Sequence, residues 1–155
     1  MSYESELEKR GYKVPDLPAV STKPFECGIK TGNLIFVSGN AARINGELKY
    51  TGIVGKNVTL EEAQDAAKIC FVNCLAAVKK LEGSLDCITR IVNIKGFVAS
   101  LPEFTSQPKV MDPVSQMAYE VFGEAGKHSR VAMGAVSLPG NTPVEVEMVV
   151  EVKTK

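Results

Sequence analysis

Few side chains in this sequence combine the residue type and the position that catalysis needs, and Arg130 is the first of them. It stands at the head of an otherwise apolar segment, residues 131–136, where a guanidinium either pairs with a carboxylate of the protein or binds one from a ligand. Taken alone, this position favours the structural pair, because buried charges are usually paired. Glu145 is the first acid on a three-glutamate face of the segment 144–152, and there a solvated strand face is the favoured interpretation.

The histidine and cysteine side chains offer weaker candidates. His128 is the single histidine and lies in a polar loop, and its neighbour Ser129 cannot face it in a strand, so we expect a solvated ring. Cys70 and Cys74 are one helical turn apart, as two metal ligands could be, but they lack a second pair of ligands. We therefore expect buried structural thiols and no metal site. Motifs for phosphate-binding loops, nucleophile elbows and histidine-based metal sites are absent.

Composition narrows the class of protein. The 155 residues are 45% hydrophobic and carry 18 basic and 18 acidic side chains, which gives no general attraction to nucleic acid or to an anionic membrane. Trp is absent and aromatics make up 6%, which argues against a platform for stacking bases. No apolar stretch approaches the roughly 20 residues of a membrane helix, and the N-terminus lacks the features of a signal peptide. We expect one cytoplasmic domain over residues 1–155, with a short helix and an extended arm in residues 1–23.

Two long helices are predicted from capping signals and periodicity. Residues 60–82 carry an apolar stripe of period 3.6, and Thr59 with the glutamate three residues on forms a capping box. Both helix cysteines lie on this stripe. A second helix is predicted to begin at Asp112-Pro113, an N-cap followed by proline at the first helical position, and to end near Gly123.

Five strands complete the predicted fold. They are residues 25–31, 34–38, 87–99, 130–138 and 144–152, of which the last alternates strictly between valine or methionine and mostly glutamate. This order predicts an α+β fold, with a mixed sheet and two helices packed on one face. The other face of the sheet would then be uncovered, so we expect a homo-oligomer.

Two motifs carry a resemblance to a known family. Residues 32–39, Gly-Asn-Leu-Ile-Phe-Val-Ser-Gly, are similar to the motif with which the core of the Rid family begins. These are the YjgF-type reactive-intermediate deaminases, often labelled endoribonuclease L-PSP. Arg130, then Leu-Pro at 138–139 and Val-Glu-Val-Glu at 144–147, reproduces the order and spacing of that family's C-terminal motif. The resemblance covers about residues 24–152, the expected core.

The resemblance implies a chorismate-mutase-like fold assembled as a homotrimer with clefts between subunits. It implies an enzyme without a cofactor that hydrolyses enamine or imine intermediates, such as 2-aminoacrylate, to a 2-keto acid and ammonia. By position, Arg130 would hold the substrate carboxylate and Glu145 would orient and activate the attacking water, while backbone groups near Ser38 and Gly39 would line the cleft. An imine is already electrophilic, so positioning and proton transfer suffice.

Three departures from the family pattern motivate an alternative. Phe25 stands where active members commonly have Tyr, Gln116 where they have Asn, and His128-Ser129 replaces Pro-Ala. Phe25 and Gln116 are still expected to contact substrate, but the lost hydroxyl and the displaced amide also suit a non-catalytic binder of small carboxylates. RNA cleavage or translation inhibition, which the family label suggests, is disfavoured by the neutral charge and low aromatic content.

The spacing of Arg130 and Glu145 restricts how they can meet. If residues 130–138 and 144–152 formed a simple hairpin, Arg130 would lie opposite a residue near 151, roughly 20 Å from Glu145 at about 3.3 Å per residue. Either the two strands are not paired in this way, or the site combines residues of different subunits.

Overall fold

The computed structural model describes residues 1–154, which form one mixed five-stranded sheet, a small two-stranded sheet and three α-helices. The strands are β1 (Gly28–Thr31), β2 (Leu34–Ala41), β3 (Arg43–Ile44), β4 (Glu47–Leu48), β5 (Ile88–Ala99), β6 (Ser129–Ala135) and β7 (Val144–Val152). The helices are α1 (Tyr3–Lys9), α2 (Leu60–Glu82) and α3 (Gln107–Phe122). No helix within residues 1–154 has the length and apolar character to cross a membrane.

Helix α2 has the predicted bounds, and its predicted capping box is confirmed. The Thr59 hydroxyl accepts the Glu62 amide at 3.1 Å, and the Glu62 carboxylate accepts the Thr59 amide at 2.9 Å. Gly83 ends the helix in the left-handed conformation, at a φ of 90°. Strong local signals at both ends therefore determine where α2 begins and stops.

Helix α3 begins at Gln107, and the predicted start at Asp112-Pro113 is wrong. Pro113 lies inside the helix, where its missing N–H leaves the carbonyl of Lys109, four residues earlier, without a helical donor. The side-chain amide of Gln64 on α2 donates to that carbonyl at 2.8 Å. This bond between helices satisfies the orphaned group and allows the helix to continue through proline.

The order of strands in the large sheet is β1-β2-β7-β5-β6, with β5 and β6 parallel and the other pairs antiparallel. A mixed sheet is thus confirmed. Strands β6 and β7 are not paired, because β5 lies between them. The simple hairpin of residues 130–138 with 144–152 does not form.

Helices α2 and α3 pack on one face of the sheet, as predicted. The alternation of β7 is confirmed, since Val144 and the other even-numbered residues of the strand are buried against the helices. Cys70 and Cys74 of α2 donate their thiol protons to the carbonyls of Val144 and Val146, at 3.3 and 3.2 Å. Burial raises the pKa of Cys74 to about 12 and that of Cys70 well above its usual value. Both thiols are therefore neutral, buried packing groups.

The opposite face of the sheet carries apolar side chains that the described chain does not cover. Ile29, Phe36 and Met133 are 57%, 49% and 47% exposed. The register aligns Ile29 with Phe36 and Phe36 with Val149, so the side chains of these three residues form a row across β1, β2 and β7. We call this surface the open face.

Candidate functional site

Arg130 lies in a cleft of about 580 Å³ between β6, α3 and the loop that joins them. Its lining residues are Asp112, Ser115, Gln116, Tyr119, Gly126, Lys127, His128 and Arg130. We call it the Arg130 cleft. The α3 residues among them are three, four and seven positions after Asp112, which is the spacing that puts side chains on one face of a helix.

Arg130 points toward the helices because of its place in the sheet. It is paired in register with Ile94 of the parallel strand β5, whose side chain is fully buried on the helix-covered face. Neighbours in register project to the same face of a sheet. The guanidinium consequently emerges beside α3.

The guanidinium is only partly occupied by protein groups. Nη1 donates to the Asp112 carboxylate at 3.0 Å and to the Ser115 hydroxyl at 3.0 Å. The Nη2 and Nε groups form no hydrogen bond with any residue in the described range 1–154. Asp112 is 62% exposed, and an exposed pair of this kind is worth about 0–1 kcal/mol. The structural pair exists, but it is weak and leaves donors for a second anion.

His128 is half-buried and bonded at both ring nitrogens, so the expectation of a solvated ring is wrong. Nδ1 is 2.6 Å from the carbonyl oxygen of Gly126, and Nε2 is 3.0 Å from the hydroxyl oxygen of Ser115. Burial lowers the pKa of His128, the bond to Gly126 opposes this, and the charge of Arg130 lowers it further. The loop holds the ring against α3 because Gly126 packs directly on the backbone of Ala118, where a Cβ would collide with the carbonyl.

Gln116 lies in the same cleft as Arg130, as a substrate contact would. Its side-chain amide donates to the carboxylate of Glu120 at 2.8 Å, one helical turn further along α3. Two of the predicted site residues, Arg130 and Gln116, are thus brought together within one chain.

A second cluster forms around Glu145 on the open face. Glu145 of β7 lies beside a bulge in β2 at Ser38-Gly39. A Cβ at Gly39 would lie 2.8 Å from the Glu145 carboxylate oxygen, so the absence of a side chain gives the carboxylate its room. Burial raises the pKa of Glu145, and the neighbouring charge of Glu147 raises it further. Three predicted residues, Ser38, Gly39 and Glu145, are therefore adjacent.

Phe25 is near this second cluster and not in the Arg130 cleft. Its ring is 59% exposed, with the ammonium of Lys23 5.6 Å from its centroid. The Ser38 hydroxyl donates to the carbonyl of Glu26, the next residue after Phe25, at 2.6 Å. Phe25 thus lies beside the β2 bulge.

The two clusters do not meet within a chain. Arg130 is level with Ile94 on β5, whereas Glu145 is level with Phe97. Three residues along the strands and two strand spacings across them amount to about 14 Å between the Cα atoms. The side chains also project to opposite faces of the sheet, since Phe97 and Ile94 are an odd number of residues apart.

Neither cluster has the composition of a metal site. In the described part of the chain, no group of three or more histidine, cysteine, aspartate or glutamate side chains is placed to hold a metal ion. The polar groups of the Arg130 cleft are a guanidinium with free donors, a hydroxyl, an amide and an imidazole, and this set suits a small carboxylate with further polar atoms.

Comparison with known proteins extends the motif resemblance to the whole chain. A family described as "YjgF/chorismate mutase-like, putative endoribonuclease" matches residues 4–152. The chain belongs to this YjgF family. The match begins at residue 4, so it includes α1 and the N-terminal arm as well as the core predicted from residue 24.

Relatives of this YjgF chain share its full length. Protein TCP17 of Trypanosoma cruzi is 34% identical over 146 residues, which cover 94% of this chain and 91% of the relative. The crystal structure of Atu1372 from Agrobacterium tumefaciens, a protein of unknown function, is 38% identical with a TM-score of 0.91, covering 98% of this chain and 94% of that one. A "putative endoribonuclease" from Shewanella oneidensis MR-1 is 28% identical with a TM-score of 0.90, covering 98% and 100%. The resemblance to Rid proteins is confirmed at the level of family and fold.

Two residues of the Arg130 cleft were missed from the sequence, Ser115 and Asp112. The predicted start of α3 makes Asp112 an N-cap. In the structure Asp112 lies inside α3, on the face of the helix that lines the Arg130 cleft. A signal was available in the spacing of Asp112, Ser115 and Gln116, which are neighbours on any helix that runs through Pro113.

Proposed function

We propose that this protein is a hydrolase of enamine or imine intermediates of the 2-aminoacrylate class, and that it releases a 2-keto acid and ammonia. The observation that supports it best is the partly unoccupied guanidinium of Arg130 in the Arg130 cleft. A planar guanidinium with free donors binds a carboxylate bidentately. The carboxylate of a 2-imino acid is bonded directly to the reacting carbon, so binding the carboxylate also positions that carbon.

No cofactor is needed for this reaction. The imine carbon is electrophilic without activation, so the protein has to position the substrate and a water and to transfer protons. Gln116 supplies an amide beside Arg130 for the substrate. Glu145, whose pKa is raised by burial, is suited to orient and activate the water.

The proposal includes a homotrimer whose clefts lie between subunits. The apolar row of the open face supports an association that covers it, since uncovered patches of this kind mark interfaces. The separation of Arg130 from Glu145 supports a shared site, because a second subunit could bring its Glu145, with Ser38, Gly39 and Phe25, to the Arg130 cleft. A cyclic, head-to-tail arrangement repeats that contact in every subunit.

A cytoplasmic location is also part of the proposal. Four cysteines are free: Cys27, Cys70, Cys74 and Cys87. Unpaired thiols are typical of a reducing compartment.

The decisive assay generates 2-imino acids in place with an amino-acid oxidase and follows release of the keto acid. Wild-type protein should accelerate release over buffer, and Arg130→Ala should lose the acceleration. Arg43→Ala is a matched control, since Arg43 is an exposed arginine outside the cleft, and within residues 1–154 its guanidinium is hydrogen-bonded only to the carbonyl of Gly46. Absence of acceleration with substrates of several side-chain types would contradict the proposal.

A second candidate is a binding protein for small carboxylates without turnover. It is favoured by Phe25, whose exposed ring beside the Glu145 cluster has no hydroxyl to hydrogen-bond a substrate or a water. Calorimetry with pyruvate separates the two functions: the binder shows saturable binding that Arg130→Ala abolishes, with no catalysis. Cleavage of RNA by highly purified protein, unchanged in Arg130→Ala, would instead favour an endoribonuclease.

A further inference from the structure

A chain of hydrogen bonds connects the Arg130 guanidinium with the loop before β6, and each group donates to the next in the direction of the loop. The carbonyl of Gly126 can only accept, so Nδ1 of His128, 2.6 Å away, carries a proton. In the neutral ring Nε2 is then an acceptor, and the Ser115 hydroxyl donates to it over 3.0 Å. The Ser115 oxygen accepts in turn from Arg130 Nη1 at 3.0 Å. The backbone carbonyl therefore fixes the tautomer of His128 and the direction of the Ser115 proton.

The surroundings keep the ring neutral but able to accept a proton. The charged or titratable groups around the cleft are Arg130 on β6, Asp112, Tyr119 and Glu120 on α3, Glu124 and Lys127 in the loop, and Arg90 on β5, whose guanidinium donates to the carbonyls of Glu124 and Lys127. Asp112 is bonded to Arg130, Glu120 to Gln116, and Glu124 to Lys127. Within residues 1–154, no carboxylate is bonded to the imidazole. A half-buried ring beside a guanidinium, without a carboxylate partner, is a neutral base near neutral pH.

We infer that Ser115 and His128 are the proton-transfer pair of the Arg130 cleft, with Ser115 contacting the substrate and His128 acting through it. The inference rests on the proposed function. A carboxylate on the free donors of Arg130 places the imine carbon one bond further on, and Ser115 is already 3.0 Å from the same guanidinium. Glu145 of the same chain projects from the opposite face of the sheet, so the pair is the acid–base group that one chain brings to its own Arg130.

The first step is addition of a water to the iminium carbon. Glu145 of the neighbouring subunit orients and polarises this water as a hydrogen-bond acceptor, and the Ser115–His128 pair takes its proton. A C–O bond forms, the π pair of C=N moves to nitrogen, and the water proton passes to Ser115 Oγ as the serine proton moves to His128 Nε2. The products are a neutral carbinolamine and an imidazolium. Burial and the positive charge of Arg130 disfavour the imidazolium compared with a solvated ring, which favours return of the proton in the next step.

The second step expels ammonia. The proton returns from His128 through Ser115 to the amino nitrogen, the C–N bond breaks with its electron pair leaving on nitrogen, and a lone pair of the hydroxyl oxygen forms C=O. The hydroxyl proton goes to the released ammonia. Iminium and water thus give keto acid and ammonium, while Ser115 and His128 end in their starting states.

Four variants test the pair. His128→Gln and Ser115→Ala should lower kcat by about 10²-fold, a typical contribution of acid–base catalysis, while His128→Gln, which does not touch the substrate, keeps the pyruvate affinity of the wild type. Ser115→Thr retains the hydroxyl and should restore most of the activity. Ser106→Ala is the matched control, because the Ser106 hydroxyl makes no capping bond at the start of α3. Wild-type kcat/KM, which reports the free enzyme, should rise with pH through a pKa below the usual value for histidine, and His128→Gln should lack that limb.

An NMR titration is independent of turnover, since His128 is the only histidine in the chain. Pyruvate should raise the pKa of the His128 ring in the wild type, and the rise should shrink in Ser115→Ala and vanish in Arg130→Ala. Wild-type kcat and pH profile in both His128→Gln and Ser115→Ala would overturn the inference. If the wild type has no deaminase activity, the proposed function fails, and the titration alone decides: a pyruvate-dependent shift supports the coupling of His128 to the cleft, and an unchanged pKa overturns it.

Discussion

Subunit mixing gives a quantitative test of where the site is assembled. Arg130 and Glu145 are about 14 Å apart and on opposite faces of the sheet, so one chain cannot bring both to a substrate. In the proposed homotrimer, Arg130→Ala and Glu145→Gln should each inactivate an assembly made of that variant alone. Mixed trimers should recover activity, because each variant retains the residue that the other lacks.

The size of the recovery follows from the cyclic arrangement. A working cleft takes Arg130 from one chain and Glu145 from its neighbour, so it needs a Glu145→Gln chain followed by an Arg130→Ala chain. In a random mixture of equal amounts each choice has a chance of one half, and about one quarter of the clefts are intact. The mixture should thus have about one quarter of wild-type activity.

The assay unfolds both variants in denaturant, refolds them together and separately, and compares keto-acid release. Sedimentation should give a mass of about 50 kDa from chains of 16.7 kDa. A mixture no more active than the mean of the two separately refolded variants would refute a shared site. Wild-type protein taken through the same cycle controls for losses on refolding.

Three further predictions concern the Glu145 cluster and α2. Gly39→Ala places a Cβ 2.8 Å from the Glu145 carboxylate, so it should lower turnover in the keto-acid assay while leaving pyruvate affinity by calorimetry unchanged. Because burial raises the pKa of Glu145, the folded state loses stability as pH rises through that pKa; Glu145→Gln should therefore raise the melting temperature at about pH 7 but not at about pH 3. Equal shifts at both pH values would contradict this. Thr59→Ala removes the capping bond to Glu62 and should cost about 1 kcal/mol in denaturant unfolding, whereas Ser106→Ala should cost almost nothing.

Local signals explain what could be predicted from the sequence. The bounds of α2 follow from its capping box and from Gly83, and the faces of β7 follow from strict alternation. The start of α3 could not be predicted in this way, because the pair Asp112-Pro113 has the pattern of an N-cap followed by the first residue of a helix. The bond from Gln64 to the Lys109 carbonyl, which removes the cost of that proline, joins two helices and leaves no local pattern.

Candidate residues could be selected from the sequence, but their arrangement could not. Composition and periodicity predict Arg130 and Glu145 on strands, and motif spacing selects them as candidates, yet their faces depend on β5 lying between β6 and β7. Strand order is a long-range property that periodicity does not contain. The contact of Ser115 with His128 depends on how the loop packs at Gly126, and the polar sequence of the loop contains no sign of this packing.

The position of β7 in the sheet also governs how the chain is made. It follows every other strand of the described chain but lies between β2 and β5, so the pairs β1–β2 and β5–β6 share no backbone hydrogen bonds until it arrives. A nascent chain that has not yet released residues 144–152 from the ribosome can form both pairs but cannot join them. During that interval the strand edges of β2 and β5 are unpaired, which is the state in which sheets aggregate or require a chaperone. Folding of this domain is therefore completed only after β7 has left the ribosome.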